Sequence, residues 1–335
     1  MKKKVLVIAE AGVNHNGSLD MAVDLIKEAS KAGADIVKFQ TFFADDGITQ
    51  KSIKAKYQID NENNSLDQYS MLKKLELSPD DHLFLIKKCN ENNIEFLSTP
   101  FDIKSISLLS KLGLERFKVP SSEVDNTFFL RNIGLLGKEV ILSTGMATLG
   151  EVEYALDTIC DAGTPLNNIT VLHCTTQYPT AFPEVNLRAM NTIANSFNVN
   201  VGYSDHTLGI EVPIAAVALG AKIIEKHITL DRKLEGPDHK ASIEPEEFSR
   251  MVKSIRNIED SLGSNFKKPT QKEIEMRLIM RKSLVASQFI NKGELFTQEN
   301  VTTKRPGNGL PANFLDFVIG RKSSKDYQIN DLIDL

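Results

Sequence analysis

Eight short apolar runs recur along the 335-residue chain: "VLVIAEAG", "DIVKFQT", "IEFLSTP", "RFKVPSS", "EVILSTG", "ITVLHC", "VNVGYSD" and "KIIEKH". Their β-branched content and shortness mark them as buried strands. Between them lie segments such as "LDMAVDLIKEASKAG", "PDDHLFLIKKCNENN", "IKSISLLSKLG" and "LGEVEYALDTICDAG", with apolar residues at helical spacing and Gly or Asn near their ends. Strand and helix in alternation predict parallel β/α units, and closing eight of them gives an α/β fold of the (β/α)8 TIM barrel type. A doubly wound open sheet is the other architecture this alternation allows.

Each run begins apolar and ends polar. Glu10, Lys38 and Gln40, Thr99, Lys118 and Ser121, Ser143, His173, Asp205 and His206, and Glu225 and His227 all fall at carboxyl ends. In a barrel those ends converge on the face where active sites are built. The pattern changes after "SIRNIEDSLGSNFKKPTQKE", a polar stretch that reads as exposed linker. Beyond it, "KSLVASQFI", "ELFTQENVTTKR", "FLDFVIG" and "DLIDL" are short apolar runs broken by Gly and Pro. We therefore expect a barrel over 1–260, a linker over 261–280, and a small, mostly β domain over 281–335. The core of that domain is thin enough to need docking on the barrel or on a partner chain.

Composition narrows the function. Lys plus Arg number 40 against 44 Asp plus Glu, a net charge of -4, so no positive field draws nucleic acid and the partner is expected to be small. Three cysteines, Cys89, Cys160 and Cys174, without C-x-x-C spacing suit a reducing, cytoplasmic compartment. The start "MKKKVLVIAEAG" imitates a signal peptide, but Glu10 interrupts a short apolar stretch and polar "NHNG" follows. No stretch approaches about 20 apolar residues, so no membrane span is expected.

His206 and His227 end neighbouring strands, and two imidazoles placed so could share one divalent ion or be ordinary hydrogen-bonded histidines; spacing alone leaves both readings open. His82, in a helical segment, is expected at the surface or a boundary. Lys38, Lys118, Ser121, Ser143 and Ser204 are the donor types an anion site needs, and lysines inside apolar strands are costly without a partner. Glu10, inside "VLVIAEAG", must be paired or titrate, while the turn "NHNG" after it reads as a helix start capped by Ser18. Asp238 in "EGPDH" lies on the catalytic side, and Arg305 sits among turn residues of the tail.

Taken in order, "EAGVNHNG", "KFQT", "STPFD", "KVPSSE", "STGMAT", "HCTTQYPT", "GYSDHT", "EKHITLD", "GPDH", "ASIEPEE", "RKSLVA" and "KRPGNG" span the chain. In these motifs it resembles the bacterial sialic acid synthase family, the nonulosonate synthases, with a (β/α)8 barrel followed by a small antifreeze-like (SAF) domain. The resemblance implies condensation of phosphoenolpyruvate with N-acetylmannosamine, giving N-acetylneuraminate and phosphate by C–O cleavage. An alternative is 2,4-diacetamido-2,4,6-trideoxymannose, giving N,N'-diacetyllegionaminate. It further implies Mn2+ or Mg2+ on His206 and His227, with Gln40 reaching the ion through a water. Phosphoenolpyruvate would be held by Thr99, Lys118, Ser121, Ser143 and Ser204, with Lys38 near its carboxylate and the new bond. Glu10 would handle a proton or position water, and Glu123, Tyr178, Asp238 and Arg305 would meet the sugar. In the family that arginine comes from the other subunit, which implies a domain-swapped homodimer.

The motif "KVPSSE" carries Ser122 where several relatives have glycine, and "HCTTQYP" varies at Thr176 and Gln177; neither removes a proposed donor. Rival readings are a barrel that condenses phosphoenolpyruvate with a phosphorylated aldose, a pyruvate aldolase, and a non-catalytic carbohydrate-binding or ice-binding module. The appended domain argues against the first, the anion-binding residues against the second, and the Lys- and Arg-bearing tail against ice binding.

Overall fold

A computed structural model describes residues 4–49, 52–54 and 67–335. Among them are eight parallel strands: β1 Leu6–Gly12, β2 Ile36–Thr41, β3 Glu95–Pro100, β4 Arg116–Val119, β5 Glu139–Ser143, β6 Ile169–His173, β7 Asn200–Asp205 and β8 Ile223–His227. They pair in the order β3-β2-β1-β8-β7-β6-β5-β4. Because β3 and β4, the two ends of that order, also lie side by side, the sheet closes into the expected barrel rather than an open doubly wound sheet. Helices such as Leu19–Lys31 and Leu149–Ala162 cover it, the first capped by Ser18, whose side chain accepts from Met21 N–H.

Alternation along the strands builds the interior in layers. Ile8, Ile36, Leu97, Ile141, Leu172 and Ile223 form an apolar floor of their own. Two residues further along the same strands come Glu10, Lys38, Thr99, Ser143, Cys174 and Glu225, so the same face turns polar one step above the floor. On β7 the floor position is Gly202: a Cβ there would stand 2.4 Å from Ile223 O and 2.6 Å from Leu172 Cδ2. Leu172 therefore fills the room that a β7 side chain would otherwise take.

His82 is not at the surface or a boundary, as its helical setting had led us to expect; it is fully buried. In the helix Pro79–Glu91 it shares the buried stripe with Leu85 and Cys89. The ring is satisfied at both ends: Nδ1–H donates to Ser78 O (2.8 Å), and Nε2 accepts from Thr41 Oγ1 (2.7 Å), which itself pairs with Ser98 Oγ (2.6 Å). A polar side chain with both partners can join a core stripe at little cost.

The chain divides into two compact units, Met1–Gly263 and Ser264–Leu335. Part of the stretch expected as linker is helical: Gln271–Met280 is started by a capping box between Thr270 and Glu273. Composition favoured a linker because this helix is exposed along its length. The remainder of the second unit pairs β9 Ser283–Ala286 with β10 Val301–Lys304, antiparallel, over a small core of Leu284, Ala286, Ile290, Phe296, Val301, Val318, Tyr327 and Ile333. No described helix is long and apolar enough to cross a membrane.

Candidate active site

Directly above the apolar floor lies a buried charge cluster. Lys38 Nζ stands 2.6 Å from Glu10 Oε2 and 3.6 Å from Glu225 Oε1, and donates to Thr99 Oγ1 at 2.8 Å. Lys118 Nζ and Ser204 Oγ each donate to Glu225 Oε1 at 3.1 Å. Burial alone would raise the Glu225 carboxyl, but the ammoniums of Lys118 and Lys38 outweigh it and hold the group well below the usual carboxylate range. Burial raises the Glu10 carboxyl, against the pull of Lys38. Burial also lowers Lys118, while for Lys38 the two carboxylates prevail and keep it charged.

Toward the rim, the loop after β6 holds His206 twice. His206 Nδ1 lies 2.7 Å from Thr175 O and its carbonyl accepts from Thr180 N–H at 2.8 Å. A carbonyl only accepts, so Nδ1 carries the proton and Nε2 keeps its lone pair. The His206 and His227 rings are 5.6 Å apart, and Tyr178 lies 4.1 Å from the first and 5.9 Å from the second. Burial pushes both imidazoles down, His227 the more because His206 adds to it, so both are neutral near pH 7 and in the ligand form. Gln40 Nε2 donates to Glu10 Oε1 at 3.5 Å. A Cβ placed on Gly12 would stand 3.4 Å from that Nε2 and 3.7 Å from Asp238 Oδ2, which gathers Gln40, Glu10 and Asp238 at one point. Glu10, Lys38, Gln40, Thr99, Lys118, Tyr178, Ser204, His206, Glu225, His227 and Asp238, with Ser121, Glu123 and Ser143, line one cavity of about 540 Å3, a volume suited to a small-molecule substrate pair.

Comparison with known proteins gives the family: residues 25–267 match the NeuB family and residues 281–333 the SAF domain. The chain belongs to the NeuB family. Over 331 residues, 99% of either chain, it is 50% identical to N,N'-diacetyllegionaminic acid synthase of Campylobacter jejuni. The enzyme of the same name from Legionella pneumophila is 46% identical, over 95% of this chain and 90% of that one. A solved N-acetylneuraminic acid (sialic acid) synthetase from Leptospira borgpetersenii, in complex with citrate, is 35% identical with a TM-score of 0.71, over 82% of this chain and 91% of that one. This NeuB-family chain is a synthase of transferase type, and the expected barrel with its SAF domain stands.

Of the residues singled out in the sequence, the barrel brings thirteen into this cavity: Glu10, Lys38, Gln40, Thr99, Lys118, Ser121, Glu123, Ser143, Tyr178, Ser204, His206, His227 and Asp238. Arg305 belongs to the second unit, exposed after β10, with Nε donating to Met280 O at 3.0 Å. Glu225 was visible at a strand end but had been given no role; it is the acceptor that both lysines share. Its signal was the spacing Glu225-x-His227, which puts it on the inward face of β8 beneath the histidine. The sequence reading also passed over an apolar wall of the cavity formed by Phe42, Phe43, Met71, Leu72, Leu75 and Phe101.

The donor set fits a divalent cation. Nδ1 of His227 is sealed from water with no partner among the described residues, a cost that a ligand near the ring would relieve. No group of three or more His, Cys, Asp or Glu is placed to hold a metal ion among the described residues, so two imidazoles would leave most coordination positions to water and substrate. The Ser143 hydroxyl is likewise buried without a partner, beside the lysines, where an anion would satisfy it.

Proposed function

We propose that this NeuB-family synthase condenses phosphoenolpyruvate with 2,4-diacetamido-2,4,6-trideoxymannose to give N,N'-diacetyllegionaminate and phosphate. The observation that carries the reaction is the Lys38–Glu225–Lys118 cluster lying beneath His206 and His227 in one cavity. Lys38 and Lys118 hold the anionic groups of phosphoenolpyruvate, with Ser121, Ser143, Ser204 and Thr99 as further donors. A divalent cation on His206 and His227, Mn2+ or Mg2+, supplies Lewis acidity toward the aldehyde of the open-chain sugar. Carbon 3 of the enol attacks the aldehyde carbon, positive charge develops at carbon 2, and the lysine cradle with its two carboxylates surrounds that charge. Glu10, its carboxyl raised by burial, takes a proton from the water that adds there. Phosphate then leaves as the carbon–oxygen bond breaks, so no nucleophilic side chain is needed. Glu123, Tyr178 and Asp238 face the sugar. Arg305 meets its acetamido group from the second unit of a partner chain, within a homodimer.

The sequence alone put N-acetylmannosamine first. Two relatives named for diacetyllegionaminic acid at 50% and 46% identity move the choice to the diacetamido sugar. The apolar wall of Phe42, Phe43, Met71, Leu72, Leu75 and Phe101 supports it, since a 6-deoxy sugar presents a methyl group where N-acetylmannosamine presents a hydroxyl. The test is phosphate release from phosphoenolpyruvate by metal-stripped protein given back Mn2+ or Mg2+, with each sugar in turn. A specificity constant at least about tenfold higher for the diacetamido sugar is expected. Preference for N-acetylmannosamine would return the assignment to N-acetylneuraminate, and no release with either sugar would overturn the reaction.

A further inference from the structure

The two strands that carry the histidines are joined on their outer side by an ion pair that the reaction does not use. Along β7 and β8 side chains alternate: Ser204 and His206, and Glu225 and His227, line the cavity. Asp205 and Lys226 therefore point the other way, into the apolar layer where Tyr203, Ile224 and Ile228 pack. The two are register partners. Their side chains are 0% exposed, with Lys226 Nζ 2.5 Å from Asp205 Oδ2. Lys226 Nζ also donates to Thr207 O at 2.5 Å, and Asp205 Oδ1 accepts from Thr207 N–H at 3.1 Å and from Thr207 Oγ1 at 2.9 Å. One ammonium thus grips the residue before and the residue after His206, and belongs to the residue before His227.

A charge pair in an apolar layer is weak evidence for stability, because two hydrophobic side chains of the same size often serve a core as well or better. What hydrophobic side chains cannot do is fix a backbone carbonyl at hydrogen-bond distance from the neighbouring strand. We infer that the Asp205–Lys226–Thr207 bridge is a positioning device: it ties the end of β7 to the end of β8 and so sets the separation at which His206 and His227 meet one divalent cation. The inference rests on the metal reading above.

The experiment compares Mn2+ affinity, read from loss of the free-ion electron paramagnetic resonance signal, with phosphoenolpyruvate affinity by calorimetry in metal-free buffer. It uses the full chain and two variants. Asp205→Asn with Lys226→Met removes both charges together, leaves an amide oxygen to accept from Thr207, and loses the grip of Lys226 on both Asp205 and the Thr207 carbonyl. Lys226→Arg keeps the charge opposite Asp205 but moves the point of grip, and carries the test alone where the double variant does not fold. We expect Mn2+ affinity to fall about tenfold in the double variant and by a smaller factor in Lys226→Arg, with phosphoenolpyruvate affinity within about twofold of the unsubstituted protein. Unchanged Mn2+ affinity in the folded variants overturns the positioning role, and so does an equal fall in both affinities, which would mark an ordinary structural pair. If the unsubstituted protein itself binds no Mn2+, the metal reading fails and takes this inference with it.

Discussion

At the scale of single residues, the balance around Glu225 decides how the anion cradle behaves. Lys118 is pushed down by burial and held up chiefly by the Glu225 carboxylate 3.1 Å away. In Glu225→Gln that support is gone, so the ammonium gives up its proton at lower pH. A cradle that needs Lys118 protonated works below its pKa and fails above it. The alkaline limb of kcat/KM for phosphoenolpyruvate should therefore move toward acid relative to the unsubstituted enzyme. An unmoved limb would mean that Lys118 is not the group whose charge binds the substrate. Glu225 also shows where reading a sequence stops: its position at a strand end was legible, but a partnership with Lys118, 107 residues away, was not. His82 erred in the other direction. Its helical setting suggested a surface or a boundary, and only the hydrogen bonds to Ser78 and Thr41 explain why it is buried.

At the scale of elements, strand alternation carried most of what could be foreseen. The runs that carry Glu10, Lys38, Thr99, Ser143, Ser204 and Glu225 present those residues inward because each lies two positions beyond a floor position, and a period of two needs no tertiary information. Within the stretch expected as linker, the helix Gln271–Met280 was passed over because the polarity of the residues before it was weighed above the Thr270–Glu273 capping box that starts it. The apolar wall was missed for a related reason: Phe42, Met71 and Phe101 come from loops and a short helix, where no period ties residue type to direction. Gly202 is the point at which the β7 pattern breaks, and it supports a test. In Gly202→Ala the new methyl would meet Ile223 O and Leu172 Cδ2 well inside contact distance, so β7 must shift. We expect a loss of about 1–3 kcal/mol in stability, seen as a lower thermal midpoint, and a fall in kcat larger than that of Ala substitutions on the outer helices. Unchanged stability and turnover would show that Leu172 can vacate the site freely and that the floor does not set the height of Ser204 and His206.

At the scale of the whole molecule, the cavity contains every proposed group except Arg305. A partner chain would offer a reason why. The helix Gln271–Met280 leaves Ile274, Met276, Leu278, Ile279 and Met280 between 44% and 61% exposed, a density of apolar side chains that a single chain has no reason to keep in water. A homodimer that covers such a surface could also deliver Arg305 to a partner's barrel. Complementation separates that arrangement from action within one chain. His206→Ala disables a barrel but leaves its Arg305 intact, and Arg305→Ala does the reverse, so each variant alone is expected to be nearly inactive. If the arginine acts across the dimer, unfolding and refolding the two together makes half of the dimers mixed, each with one site that has both His206 and a partner's Arg305. Turnover should then recover to about a quarter of the unsubstituted value, the fraction of sites so completed. If the arginine acts within its own chain, no mixed dimer contains a complete site and mixing recovers nothing, because every chain lacks one of the two residues. Recovery would thus establish at once that the enzyme is an oligomer, that Arg305 belongs to the sugar site, and that each barrel depends on its neighbour for it.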